Sequence, residues 1–221
     1  MQPDTSSHSA IWLIKGRLIA ALSALTCVRR IDSFGSVAVC GSDEWSDLDL
    51  IVSCELPERT SRLAASAIRS MERVAFYRMF TRVPQPSGRY WFGGESPFHR
   101  LDVSFYSTAA HAVVTQSGFR YGHPISCRAE YVAHLPPDPS ADSQLHTMAA
   151  PARVTPLEDA IGRLLYVHLE TAKRQLRGHR VKANTGQTRS HLLDALASLP
   201  ADADLLPFVL EVDRLIQRIS N

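Results

Sequence analysis

The stretch Phe34 to Val52, FGSVAVCGSDEWSDLDLIV, decides how the rest of the chain is read. It opens on Gly35-Ser36 and closes on an apolar run, Leu48-Leu50-Ile51-Val52, into which two carboxylates, Asp47 and Asp49, are set. A strand sends alternate side chains to the same face. Asp47 and Asp49 therefore point together to one side, while Leu48 and Leu50 point into a core. Two adjacent like charges repel, so a fold keeps them only where something offsets the repulsion. A divalent cation is the simplest such partner. Mg²⁺ takes one or two carboxylates and fills the rest of its shell with phosphate and water.

The glycine–serine pair supplies the complementary part. Arg30 to Phe34 reads as a short strand, Gly35-Ser36 as a tight turn, and Val37-Ala38-Val39 as the start of a short helix. Glycine lets the backbone approach a ligand closely, and N–H groups at a helix start attract phosphate. The Ser36 hydroxyl can donate one more hydrogen bond.

On these residues the chain resembles the DNA polymerase-β-like nucleotidyltransferase superfamily. The pattern is an apolar residue with Gly-Ser, a spacer, then Ser-Asp-x-Asp and an apolar strand. Here it reads Phe34-Gly35-Ser36, then Ser46-Asp47-Leu48-Asp49-Leu50-Ile51-Val52. Gly41-Ser42 lies too close to Asp47 to serve as the turn. Two features depart from the pattern: Cys40 stands where a glycine is common, and Val37 and Val39 stand where many relatives carry arginines. The resemblance covers roughly residues 11–106. It implies that Gly35, Ser36 and Ser46 hold the nucleotide and that Asp47 and Asp49 bind Mg²⁺. It also implies a third carboxylate on a later strand. Asp102, the lone acid in Leu101-Asp102-Val103-Ser104-Phe105-Tyr106, is the candidate, for a second Mg²⁺ ion or as the base that deprotonates an attacking hydroxyl. Two bridged metals stabilise the attacking and leaving oxygens of an in-line displacement. Without the resemblance, Asp-x-Asp reads equally well as a solvated pair on an edge strand.

Outward from that stretch the chain is ordinary in bulk. It has 221 residues, 45% apolar and 21% charged, with a net charge of +2. That suits one large domain or two small ones and gives no global bias towards nucleic acid or an anionic membrane. Cys27, Cys40, Cys54 and Cys127 show neither C-x-x-C nor zinc spacing and read as buried thiols of a cytoplasmic protein. The nine histidines form no metal-binding motif. Lys15-Gly16-Arg17 before an apolar run loosely mimics a secretion signal. However, Ile11, Leu13, Ile14, Leu18, Leu22 and Leu25 recur at helical spacing, which favours a helix reaching about Cys27. The run is too short to span a bilayer.

In chain order, Glu58 to about Phe80 reads as one amphipathic helix, with Leu63, Ala67, Met71, Val74 and Ala75 on its apolar side. Arg89 to Phe92 and Arg100 to Tyr106 read as two strands of a hairpin. Tyr90, Trp91 and Phe92 then belong to the core or line a substrate pocket. Ser107 can cap a short helix from Thr108 to Gln116, and Cys127 to His134 forms a small extra strand. Residues 136–154, rich in proline and polar side chains, read as a linker between a nucleotidyltransferase domain (1–135) and a helical bundle domain (155–221). Thr155-Pro156-Leu157-Glu158 is a capping box. Three helices follow, ending near Gly178, Leu199 and Ile219, with short links that suggest an antiparallel bundle. The expected fold class is therefore α+β: a small mixed sheet flanked by helices, followed by a C-terminal helical bundle.

A basic cluster, Lys173, Arg174, Arg177, His179, Arg180, Lys182 and Arg189, straddles the first two bundle helices. Its plain reading is a solvated face at a cation-favouring helix end. The layout is similar to that of the kanamycin- and lincosamide-type nucleotidyltransferases, and that likeness implies that Lys173 reaches the triphosphate. It further implies transfer of a nucleoside monophosphate, AMP from ATP, to the hydroxyl of a small molecule such as an antibiotic. Glu95, Glu158 and Glu170 are alternative bases. A protein-adenylylating antitoxin-type enzyme, a non-catalytic nucleotide-binding module and an RNA-tailing enzyme compete with this reading. No aromatics are interleaved with the basic cluster, which disfavours nucleic acid. Apolar positions from Leu205 to Ile219 permit a homodimer.

Overall fold

The structure, a computed structural model, describes the backbone of residues 7–34, 43, 45–71, 74–80, 85–111, 119–120, 123–124, 130–131, 156–179, 185–200 and 205–220. Gly35, Ser36, the helix expected from Val37, Cys40 and the 136–154 linker lie outside the described residues, as does the capping box through Thr155.

Helix α1 (Ser7–Ser23) leads into strand β1 (Val28–Phe34). Strand β2 (Leu48–Cys54), helix α2 (Pro57–Met71) and strands β3 (Val74–Phe80), β4 (Ser87–Phe92) and β5 (Arg100–Ser107) follow. Three two-residue strands, β6 (Phe119–Arg120), β7 (His123–Pro124) and β8 (Glu130–Tyr131), precede three helices. These are α3 (Pro156–Leu176), α4 (Thr185–Ala197) and α5 (Leu205–Ser220). The mixed sheet runs in the order β3-β4-β5-β2-β1-β8, and β6 pairs with β7 separately. Only β2 and β5 are parallel among the described pairs, and the chain from 55 to 99 makes the crossover that a parallel pair needs.

Two apolar clusters hold these layers. Leu48, Leu50 and Val52 of β2 and Leu101, Val103 and Phe105 of β5 share one core with Leu18 and Leu22 of α1 and Leu63, Ala64 and Ile68 of α2. Pro57 at the start of α2, Glu58 in its first turn and Arg69 in its last suit the helix ends. The second core joins the sheet to the C-terminal helices. Phe76, Trp91 and Phe98 pack with Ile161, Leu165 and Leu169 of α3, Leu192 of α4 and Phe208, Val209 and Val212 of α5. Trp91 stacks on Phe76 at 5.4 Å and lies 6.5 Å from Phe208. Gly162 lets α3 approach the sheet: a Cβ there would lie 2.9 Å from Phe76 Cζ.

The expected helix to Phe80 is corrected. It ends at Met71, and Val74–Phe80 is a strand paired with β4. Aromatic and β-branched side chains favour a half-buried pleated surface over a helix. Tyr77 stacks on Tyr90 at 5.9 Å, and that cross-strand contact decides the outcome. Helix α1 also stops earlier than expected, at Ser23. Tyr90, Trp91 and Phe92 are buried in the two cores. Of the small extra strand, Glu130–Tyr131 is described, and it adds to β1. Helix follows Ser107 over residues 108–111.

Candidate active site

The apolar side chains of β2 and β5 face α1 and α2, so alternation sends Asp49 and Asp102 to the opposite face. Their strands are parallel and in register, with Asp49 opposite Asp102 and Leu48 opposite Leu101. The two acids are thus neighbours across a strand spacing of about 4.8 Å. Arg89 of β4 lies opposite Asp102 on its other side, and Phe34 of β1 lies opposite Asp49. One row across the sheet therefore reads Arg89, Asp102, Asp49. Asp47 immediately precedes β2 and lies level with Arg100, the first residue of β5.

A tight turn presents Asp47. The Ser46 hydroxyl donates to Asp43 Oδ1 at 2.7 Å and accepts from the Asp43 N–H at 2.9 Å. The Trp45 N–H donates to the same Oδ1 at 3.1 Å, and the Trp45 ring meets Phe98 edge-on at 5.2 Å. Ser46 is buried, and its hydroxyl serves this turn. Arg177 grips the turn from the far end of the chain, with Nε 2.7 Å from Asp43 Oδ2 and Nη2 2.9 Å from Oδ1. Those bonds hold the Asp43 carboxyl well below the usual carboxylate range.

Helix α3 supplies the opposite wall. Gly162, Tyr166, Glu170, Lys173 and Arg177 recur every three or four residues, so they share one face. Gly162 sets that face against the sheet; Tyr166 and Glu170 meet the arginines beside the acids, Lys173 meets Asp47 and Arg177 meets Asp43. Lys173 Nζ donates to Asp47 Oδ1. Arg100 Nη2 lies 2.8 Å from Asp47 Oδ2, its Nη1 2.9 Å from Glu170 Oε1, and its Nε 3.4 Å from Asp102 Oδ1. Arg89 Nε approaches the same Asp102 oxygen at 3.1 Å. The Tyr166 ring carries the Arg89 guanidinium at 4.0 Å and that of Arg100 at 4.7 Å.

These ions are mostly out of water. Lys173 is 2% exposed and Arg100 5%, against 14% for Asp47 and 16% for Asp102. Burial pushes the Asp47 carboxyl up against the pull of Arg100 and Lys173, and pushes the Lys173 ammonium down against the pull of Asp47. Burial alone would also lower Arg100, but Asp102, Asp47 and Glu170 outweigh it and hold the guanidinium charged. A second buried acid, Asp32 on β1, lies 2.6 Å from His111 Nε2. Burial would raise its carboxyl, but hydrogen bonds from His111 and Arg30 bring it below the usual range.

Asp47, Asp49, Asp102 and Lys173 are thus brought to one place. Glu95 is in the loop after β4, and of the three glutamates considered as bases Glu170 touches this cluster. The side chain of Glu158 is outside the described residues. Sequence reasoning missed Arg100, Arg89 and Tyr166. Arg100 stands two residues before Asp102 on the same strand face, a signal that was available. The polar stripe of α3 was likewise visible as a period flanking Ile161, Leu165 and Leu169.

The donor chemistry suits Mg²⁺, since every acid offers hard carboxylate oxygens. Asp102 Oδ1 is buried and finds no well-aligned hydrogen bond among the described residues, despite its two arginine neighbours. Among the described residues, no group of three His, Cys, Asp or Glu could by itself hold a metal ion.

The fold and the site together define a mixed α+β protein with acids gathered at the head of two parallel strands. No protein-family model matches the sequence, and no curated protein does. Among solved structures, the chain is similar to one in a structure titled "structure of GLD-2/RNP-8 complex". The identity is 13% and the TM-score 0.39, over 91% of this chain and 76% of that one. A superposition that loose is too weak to carry function across. Among the described residues, no helix is long and apolar enough to cross a membrane.

Proposed function

We propose that the chain is a Mg²⁺-dependent nucleotidyltransferase that moves a nucleoside monophosphate, AMP from ATP, to the hydroxyl of a small molecule. The observation that carries this reading is the register of Asp49 against Asp102 on neighbouring parallel strands, with Asp47 two residues before Asp49. Bound Mg²⁺ would neutralise charge on the triphosphate and on the departing pyrophosphate. Asp47 and Asp49 would hold it, and the sequence resemblance assigns Gly35 and Ser36 to the outer phosphates. The acceptor oxygen attacks the α-phosphorus, the bond to the β-phosphate breaks, and pyrophosphate leaves. The hydroxyl proton passes to the Asp102 carboxylate, which stands beside Asp49 in the register of the parallel pair. Arg89 and Arg100 beside Asp102 hold that carboxylate in place. An aminoglycoside or lincosamide is the acceptor class that the sequence resemblance suggests, in a cytoplasmic enzyme.

A second reading, a non-catalytic nucleotide-binding module, draws support from the two cations seated on Asp47. Calorimetric titration with the four nucleoside triphosphates and Mg²⁺ tests both, on the wild type and on Asp47→Ala/Asp49→Ala. The enzyme reading expects Mg²⁺-dependent binding of one triphosphate that the double variant loses. Pyrophosphate release across a panel of hydroxyl acceptors should then follow. Binding without release for any acceptor favours the module, and no binding to folded protein overturns both.

A further inference from the structure

We infer that Arg100 and Lys173 are resident counter-ions that make metal binding at Asp47 conditional on the triphosphate. This rests on the nucleotidyltransfer reading and deepens it. Both oxygens of Asp47 are engaged, Oδ1 by Lys173 and Oδ2 by Arg100 at 2.8 Å. Arg100 also bridges to Glu170 at 2.9 Å and approaches Asp102 at 3.4 Å. Both cations are almost wholly buried. A divalent ion arriving alone would have to take Asp47 from them, leaving Lys173 without its carboxylate out of water and Arg100 with only Glu170 and Asp102.

Charge points the same way. Asp47, Asp102 and Glu170 meet Arg89, Arg100 and Lys173 in direct contact, and Asp49 stands opposite Asp102, four carboxylates near three cations. A dication added alone makes that cluster positive. A dication added with a triphosphate does not, and the phosphate oxygens give each displaced cation a new partner. A guanidinium suits this exchange, because its fork binds carboxylate and phosphate alike. Helix α3 presents Glu170 and Lys173 on one face, so the helix that walls the site faces the incoming phosphates.

Mn²⁺ is the probe, read as the total ion retained with the protein in equilibrium dialysis against a protein-free chamber, because triphosphate itself chelates Mn²⁺. Wild type, Arg100→Gln and Lys173→Gln are compared with and without inorganic triphosphate, after circular dichroism shows each to be folded. The wild type should leave Mn²⁺ free, and triphosphate should tighten its binding about 5–150-fold, the usual range for coupled sites. Each single variant should bind Mn²⁺ alone more tightly than the wild type and show a smaller gain from triphosphate. Wild type that takes up Mn²⁺ alone as tightly as both variants overturns the inference while sparing the nucleotidyltransfer reading. No uptake by any form, even with triphosphate, overturns that reading and the inference with it.

Discussion

On one side of β2, Leu48, Leu50 and Val52 pack with α1 and α2; on the other, Asp49 faces Asp102 beside a cluster of buried ions. The apolar side gains from leaving water, by about 25 cal/mol per Å² of apolar surface, and asks for no particular partner. The charged side asks for a partner for every ion, and desolvation offsets much of what each pairing returns. The first face can therefore carry the stability of the sheet. The second is kept for what it binds, and it stays folded because its charges balance one another.

Substitutions break or sharpen that contrast. The largest effect is expected at Leu50, fully buried in the first core: Leu50→Ala should lower unfolding stability by about 2–5 kcal/mol in urea titrations. A loss as large is expected of Asp47→Ala, which strands Lys173 and should destabilise by about 3–5 kcal/mol. The double variant Asp47→Leu/Lys173→Met should recover most of that loss, because it removes both buried charges, yet it should not bind triphosphate. A double variant as unstable as Asp47→Ala would show that the ion cluster holds the fold. Arg177→Ala should cost only about 1 kcal/mol or less, since Arg177 and Asp43 are 35% and 40% exposed.

The smallest effect is in pH dependence. Arg177 holds the Asp43 carboxyl below the usual range, and Arg189 does the same for Asp213. A depressed acid contributes stability that is present above its unfolded pKa of about 3.9 and is lost as pH falls towards the folded value. Urea midpoints should thus drop between about pH 4 and pH 2 in the wild type. The drop should be shallower in Arg177→Ala, which already lacks one of the two pairs.

How far these regions could be read beforehand follows their physics. The apolar periods of β2, β5 and the three C-terminal helices are local, and they placed the sheet and the helices. Strand β3 was misread because Val74 and Ala75 continue the helical spacing of Leu63, Ala67 and Met71. Only its stacking partners on β4 separate the two possibilities.

By itself the sequence determined the strand face of two acids, because a strand has a period of two: Asp49 and Asp102 alternate with Leu48, Leu50, Leu101 and Val103. It also carried the polar row of α3 beside its apolar one. Tertiary structure alone decided which charge meets which. Lys173 reaches Asp47 across 126 residues, and Arg177 reaches Asp43 across 134. Those pairings depend on the approach of α3 to β3 at Gly162 and on the register of β5 against β2. Charge attraction has no period along the chain, so its partners appear only when packing has brought the elements together.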